Sequence, residues 1–380
     1  MSRLYLDLLL FGAVTLISAL LAGCASTPTA SPSAAPVTLS APLTFLRDGQ
    51  IWRLPVGGST AIQITREAEV VESFDVSPAD GALVYVTGNK LIWADAQGGS
   101  RRELLAGPGL PPVRDTLAAL NDPAHITGAL RTPIWSPDGA RVAYVQNGLT
   151  ILTVATGAVE RLWRNPPLPA TSEVQLVESV LSWSPDGQHL LATTYPYPLG
   201  SLYSRQVALK AASSAYLLPL AEGAEITAAW SADSAMLYLA NPTFGGTEAL
   251  SRCTVSEGRC TFIGEAVPAR SAAHYRYPHV APSGDLYVWL GTTSDPAKLP
   301  ERYQLSRLRP DGYGRTALRA DSYPIAGALW AKDGSGVLIA TEGASDKVPA
   351  GTLIWLPIDG SAAWQLPVSG ASCLRWGAAD

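Results

Sequence analysis

The chain has 380 residues, 47% of them hydrophobic and 16% charged, which allows one large repeat domain or two ordinary ones. Its 27 Lys and Arg against 32 Asp and Glu give a net charge of −5, scattered along the sequence. No run supplies the concentrated basic surface that a nucleic-acid partner requires, so that class of function is set aside.

Residues 1–23 read as an export signal. Arg3 precedes an apolar stretch from Leu8 to Leu21 that ends in Leu21-Ala22-Gly23-Cys24, with Asp7 offsetting Arg3. Small residues before the cut fit a peptidase cleft, and the cysteine after it can be thioether-linked to diacylglycerol. The pattern resembles the lipobox of bacterial lipoproteins, which implies a mature chain starting at a lipidated Cys24. A retained transmembrane anchor is the weaker reading, because the apolar run falls short of the roughly 20 residues that cross a bilayer. Residues 24–42 are almost all Ala, Ser, Thr and Pro and carry no charge, the composition of a flexible tether. The expected location is therefore extracytoplasmic, on the cell membrane or the periplasmic face of an outer membrane. Ala25 lacks the acidic character associated with inner-membrane retention, which favours the outer one in a host with two membranes.

From 43 to 380 a short phrase keeps returning. Trp135-Ser136-Pro137-Asp138-Gly139 recurs as Trp183-Ser184-Pro185-Asp186-Gly187, with weaker copies at Trp230, Trp330, Val76 and Val280 and a partial one at Trp376. Copies lie 46 to 59 residues apart, a spacing of propeller blades rather than helical repeats. In each, Pro and Asp-Gly make a tight turn between antiparallel strands. An apolar strand follows, such as Val142 to Val145 or Val337 to Ala340. A third strand then runs into Gly98-Gly99 or Asp359-Gly360, and an edge strand such as Arg101 to Leu105 or Val159 to Trp163 completes the unit.

Before the first copy, Leu43 to Leu46, Ile51 to Leu54 and Ala61 to Thr65 read as strands two to four of a blade without a first strand. Cys373 to Gly377 reads as a first strand with nothing after it. Pairing the ends removes both open edges and makes an all-β, seven-bladed propeller of four-stranded antiparallel blades. The repeated tryptophans are expected to pack between blades.

These Trp-Ser-Pro-Asp-Gly units resemble the propeller repeats of the TolB family, with related repeats in prolyl oligopeptidase-type enzymes. The resemblance implies a propeller in a periplasmic setting and leaves activity open, since one scaffold hosts many functions. TolB-family proteins carry an α/β domain ahead of the propeller, where this sequence has the tether.

Cys253 and Cys260 flank Ser256-Glu257-Gly258, a hairpin turn that would let them face one another, so a disulfide is expected outside the cytoplasm. Cys373 has no evident mate and reads as a small buried hydrophobe. The cysteine spacing and scattered histidines point to no metal site, and no cofactor is expected.

Long insertions fall on the face that receives the second-to-third loops and the connections between blades, the expected binding face. There Tyr195, Tyr197 and Tyr203 are expected to offer rigid aromatic surface, and His274, Tyr275, Arg276 and Tyr277 to add donors and a cation, with Arg302 nearby. Covering the ends of the core is the plainer role for any one of them.

No nucleophile elbow, zinc-protease helix or phosphate-cradling loop is present, and turn geometry explains the motif aspartates. The expected function is a non-catalytic, membrane-anchored binding or scaffold module for a protein or envelope polymer. One alternative is a hydrolase or lyase whose site assembles around the channel from His274, Asp295, Glu301 and Asp346. Another is a structural subunit of an envelope complex.

Overall fold

The computed structural model describes residues 39–112, 119, 122–168, 174–197, 204–210, 218–223, 227–241, 249–264, 272–294, 302–341 and 351–378. Cys24, Tyr203, Asp295, Glu301 and Asp346 lie outside them.

Seven four-stranded antiparallel sheets follow one another along the chain. Blade one is β4 (Val71–Val76), β5 (Leu83–Thr87), β6 (Lys90–Ala94) and β7 (Arg101–Ala106). Blade two is β8 (Arg131–Trp135), β9 (Arg141–Val145), β10 (Gly148–Thr153) and β11 (Val159–Arg164). Blade three is β12 (Val174–Trp183), β13 (His189–Tyr197), β14 (Ser204–Lys210) and β15 (Leu218–Gly223). Blade four is β16 (Thr227–Trp230), β17 (Met236–Asn241), β18 (Ala249–Thr254) and β19 (Arg259–Ile263). Blade five is β20 (Ala272–Val280), β21 (Leu286–Thr293), β22 (Tyr303–Leu308) and β23 (Thr316–Tyr323). Blade six is β24 (Ile325–Trp330), β25 (Gly336–Thr341), β26 (Leu353–Pro357) and β27 (Trp364–Gln365).

The composite blade joins β28 (Ser372–Trp376) to β1 (Leu43–Arg47), followed by β2 (Gln50–Leu54) and β3 (Ile62–Gln63). Trp376 pairs with Leu43 and Arg375 with Thr44, so the C-terminal strand supplies the first strand ahead of the N-terminal three. Gly377 N–H donates to the Pro42 carbonyl at 2.7 Å, and Leu39 and Ala41 are buried in the same cluster. The packed body therefore reaches back to Leu39, into the stretch read from sequence as tether.

The core is layered between blades. Along β5, Leu83 and Tyr85 pack toward the composite blade while Val84 and Val86 pack toward blade two. Along β9, Val142 and Tyr144 face blade one and Ala143 and Val145 face blade three. Strand side chains alternate between faces, so a strand covered on both sides must be apolar throughout. That is why the second strand of each blade is the most hydrophobic run in its repeat. Each fully buried Leu, Val or Ile contributes about 1.5–3 kcal/mol.

The motif itself is a hydrogen-bonded turn. Ser136 Oγ donates to Asp138 Oδ1 and accepts from Arg141 N–H at 2.9 Å, while Asp138 Oδ1 accepts from Ala140 N–H at 3.0 Å. Ser184 with Asp186 and Ser231 with Asp233 repeat the arrangement. The Ser136 hydroxyl and the Ala140 amide hold the Asp138 carboxyl below the usual range.

The innermost strands are tied into a ring. Trp183 Nε1 donates to the Ile134 carbonyl, Trp230 Nε1 to Ser182 Oγ, Trp330 Nε1 to the Tyr277 carbonyl and Trp376 Nε1 to the Trp330 carbonyl. Between blades four and five, where Val280 stands for the tryptophan, Tyr277 N–H donates to Thr227 Oγ1 at 2.7 Å. Asp75 serves both sides of blade one, which carries Val76. Its Oδ2 accepts from Trp135 N–H at 2.7 Å, and its Oδ1 accepts from Arg375 Nε at 2.9 Å across the chain closure. Burial outweighs the Arg375 charge and raises the Asp75 carboxyl above its ordinary range.

Cys373 departs from the sequence expectation: it is exposed, not buried. The pairing of β28 with β1 slips there, and Cys373 has a φ of 51°. The extra residue of this bulge turns its thiol away from both neighbouring blades.

Asp138→Ala should cost about 1 kcal/mol in denaturant melts. Because the folded Asp138 pKa is depressed, that contribution should be complete above about pH 4 and vanish as pH falls through the folded value. Arg375→Ala should cost about 2 kcal/mol at neutral pH, reduced from the fully buried case because Arg375 is partly exposed. That loss should shrink on acidification, since Asp75, with its raised pKa, takes up a proton and no longer buries a charge.

Candidate functional site

The two faces of the disc are built differently. Turns between first and second strands are the Ser-Asp turns, whose polar groups are spent on one another. The opposite face receives the second-to-third loops and the connections between blades. On it, the composite blade and blade one have two-residue turns at Asp48-Gly49 and Gly88-Asn89 with positive φ at both positions, while blade two turns through Gln146-Asn147-Gly148 between the paired Val145 and Leu149. The first two are type I′ hairpins.

Over the tight turns lies the connection from blade one to blade two, carrying α1 (Pro123–Gly128). Asp122 caps the helix by accepting from Ala124 N–H, and its other oxygen meets His125 Nδ1 at 2.9 Å. Asn89 anchors the segment: its amide donates to the Pro108 and Gly128 carbonyls and its Oδ1 accepts from Leu130 N–H. Gln146 Nε2 donates to the Gly128 carbonyl as well. Ile126, fully buried, then packs with Leu176, Tyr195 and Tyr197 of blade three.

This placement corrects the reading of Tyr195 and Tyr197 as exposed loop residues. Both lie on β13, which pairs with β12 out to Val174 opposite Tyr197, and both are buried. Pro196 is tolerated because β14 pairs only as far as Thr194, so its missing N–H faces no strand.

The segment His274 to Tyr277 is likewise strand, not loop. On β20 the side chains alternate, and Tyr275 joins the cluster shared with blade four. His274 and Arg276 are buried, with the Arg276 guanidinium 5.2 Å from the Tyr303 ring centre. Tyr277, half-buried at φ 47°, sits at a bulge and links blades: its hydroxyl donates to the Ala326 carbonyl at 2.6 Å. Thr132, Tyr277 and Cys373 all adopt positive φ, each three residues before its repeat's Trp or Val position. Arg302 is exposed and donates from Nε to Ser322 Oγ at 3.1 Å.

Several other titratable groups among the described residues make contacts within or between blades. Arg319 forms a fork with Asp321 and also donates to the Pro357 and Ser361 carbonyls of blade six. Burial and the neighbouring Asp321 push the Tyr323 phenol up to about 12. His279 stacks on Trp330 at 4.6 Å, and burial lowers it to about 4, so it is neutral at pH 7. Cys253 and Cys260 stand directly opposite on β18 and β19 and are joined by a disulfide. Among the described residues, no group of three His, Cys, Asp or Glu side chains is placed to hold a metal ion. No helix among them is long and apolar enough to cross a membrane.

No protein-family model and no curated protein matches this chain. Solved structures do. Puromycin hydrolase superposes with a TM-score of 0.56 and 14% identity, over 89% of this chain and 52% of its own, so this chain spans about half of that protein. Oligogalacturonate lyase in complex with manganese gives 0.55 and 10%, over 86% of each chain. TolB from Acinetobacter baumannii gives 0.47 and 15%, over 90% of this chain and 68% of that one. What is shared is the propeller fold. Chemistry must be read from the residues of the site.

Asn89→Gly keeps the positive-φ turn and removes the anchoring amide. Amide exchange in residues 123–128 should accelerate about tenfold or more, with little change in global melting.

Proposed function

We propose that the protein is a membrane-anchored, extracytoplasmic binding or scaffold module whose long-loop face engages a protein or envelope polymer. The observation that carries this reading is the asymmetry of the disc. One face is closed by turns whose hydrogen bonds are internally satisfied. The other carries α1, the extended β12–β13 and β20–β21 hairpins and the exposed Arg302. Elaboration on one end of a rigid scaffold is where recognition collects.

The lipobox-like Leu21-Ala22-Gly23-Cys24 supports the anchor, and the Cys253–Cys260 bond supports an oxidising compartment. In this reading Tyr195, Tyr197 and Tyr275 stiffen the hairpins that present the face, and Tyr203, Arg302 and the loops around them meet the partner.

A photo-crosslinking residue in place of Arg302 should capture one discrete partner in native membranes. The same residue in place of Gln188, exposed on the Ser-Asp turn face, should not. Capture from Gln188 alone, or equally from both, contradicts the assignment of the face. Mass spectrometry of the mature N-terminus should find a diacylglyceryl group on Cys24, whereas an intact Met1 contradicts the anchor.

A further inference from the structure

The connection from blade one to blade two is closed at a neck, and one residue grips both of its ends. Gly107 N–H donates to the Asn89 carbonyl at 2.9 Å, and the Asn89 amide donates to the Pro108 carbonyl at 2.8 Å and the Gly128 carbonyl at 3.2 Å. Asn89 Oδ1 accepts from Leu130 N–H at 2.8 Å. The ends touch there: a Cβ added to Gly128 would stand 2.9 Å from Pro108 Cγ. A segment whose ends meet at one point can swing about that point as a flap. α1 lies just inside the neck, and its Ile126 reaches the hairpin of blade three.

What Ile126 covers is the apolar face of a two-stranded ribbon. Beyond Thr194, β13 pairs with β12 alone among the described residues. Leu176 stands opposite Tyr195 and Val174 opposite Tyr197, so these four share one face, while Gln175 and Pro196 take the other. The face is separate from the inter-blade cluster that holds Val177, Leu190 and Ala192 further down the same strands. Its cover comes from loops rather than from a blade: Ile126, fully buried, with Leu168 beside it. α1 has six residues, too few to hold a helix without that contact. Once Ile126 leaves, nothing in α1 itself keeps the cover in place.

We propose that α1 is a displaceable cover over a docking surface for a protein partner, which seats an aliphatic side chain against Leu176, Tyr195 and Tyr197 where Ile126 now lies. The chemistry of the occupant is read from the one already seated there. An aliphatic side chain is what a protein segment supplies and a hydroxyl-rich envelope polysaccharide does not. Tyrosines suit such a surface, because they offer large contact area at modest entropic cost. A partner that binds the uncovered face shifts the flap toward its open position in proportion to that preference. The proposal rests on the long-loop face being the binding face and narrows it to one surface and one class of partner.

Two measurements on the full-length protein test it. The Ile126 and Ala129 amides donate to the Asp122 and His125 carbonyls, which makes them reporters of α1 in native-state hydrogen exchange. They are expected to exchange at least about 100-fold faster than the amides of β9, and Ile126→Ser should speed them at least about tenfold more with β9 unchanged. In native membranes, a benzophenone side chain in place of Tyr197 should capture the protein captured from position 302. The yield should rise at least about threefold with Ile126→Ser and stay near the parent level with Ile126→Val. Asn89→Gly, which loosens the neck and leaves the apolar face intact, should raise it too and stands in should Ile126→Ser not fold. The proposal is overturned if α1 exchanges only together with the ring, if the opening variants leave capture from Tyr197 unchanged, or if the captured species is a polysaccharide. Capture from position 302 but not from Tyr197 refutes this surface alone. Capture only from Gln188, or from no position, refutes the long-loop face and this surface with it.

Discussion

The structure depends on the bonds between one innermost strand and the next. A four-stranded blade alone is a marginal sheet with two apolar faces, and it becomes stable only when both faces are covered. Indole N–H groups at Trp183, Trp230, Trp330 and Trp376 fix how each blade meets the one before it. Where the repeat carries valine, other groups make the link. Thr227 receives the Tyr277 amide, and Asp75 bridges Trp135 and Arg375. Asp75 thereby connects the composite blade to blades one and two, at the point where the ring must close.

A closed ring frees one end of the disc from structural duty. Ser-Asp turns hold the opposite end with local hydrogen bonds, so that face varies little from blade to blade. The long-loop end is differentiated instead. Tight turns on blades one and two hold the segment that carries α1 through Asn89 and Gln146, α1 packs on the lengthened hairpin of blade three, and the hairpin of blade five is lengthened as well. Buried polar groups on blade five then lie between two rigid sheets, where side chains are held in place rather than left to sample solvent.

Blade number, strand order and closure are legible in the sequence because each is encoded locally. Ser and Asp of the phrase bond one another and the backbone of their own turn, so it survives as a recognisable unit even in the copy at Trp230, where Ser234 replaces the glycine. The hairpin extensions are not legible. Tyr195-Pro196-Tyr197-Pro198 and Tyr277-Pro278 carry the punctuation of loops, yet the prolines fall where no ladder bond is required or at a bulge. Cys373 reads as buried from its residue type alone, but a bulge shifts side-chain alternation by one residue, which composition cannot reveal. Asp75 gives no signal at all, its partners lying 60 and 300 residues away.

The ring is one cooperative unit closed by β28, and native-state hydrogen exchange resolved to single amides tests that claim most directly. The protected amides of β28 and β1 are predicted to open with the same free energy as those of the second strands in blades one to six, through global unfolding alone. Exchange of β28 through a separate, lower-energy opening, with the other blades still protected, would contradict it.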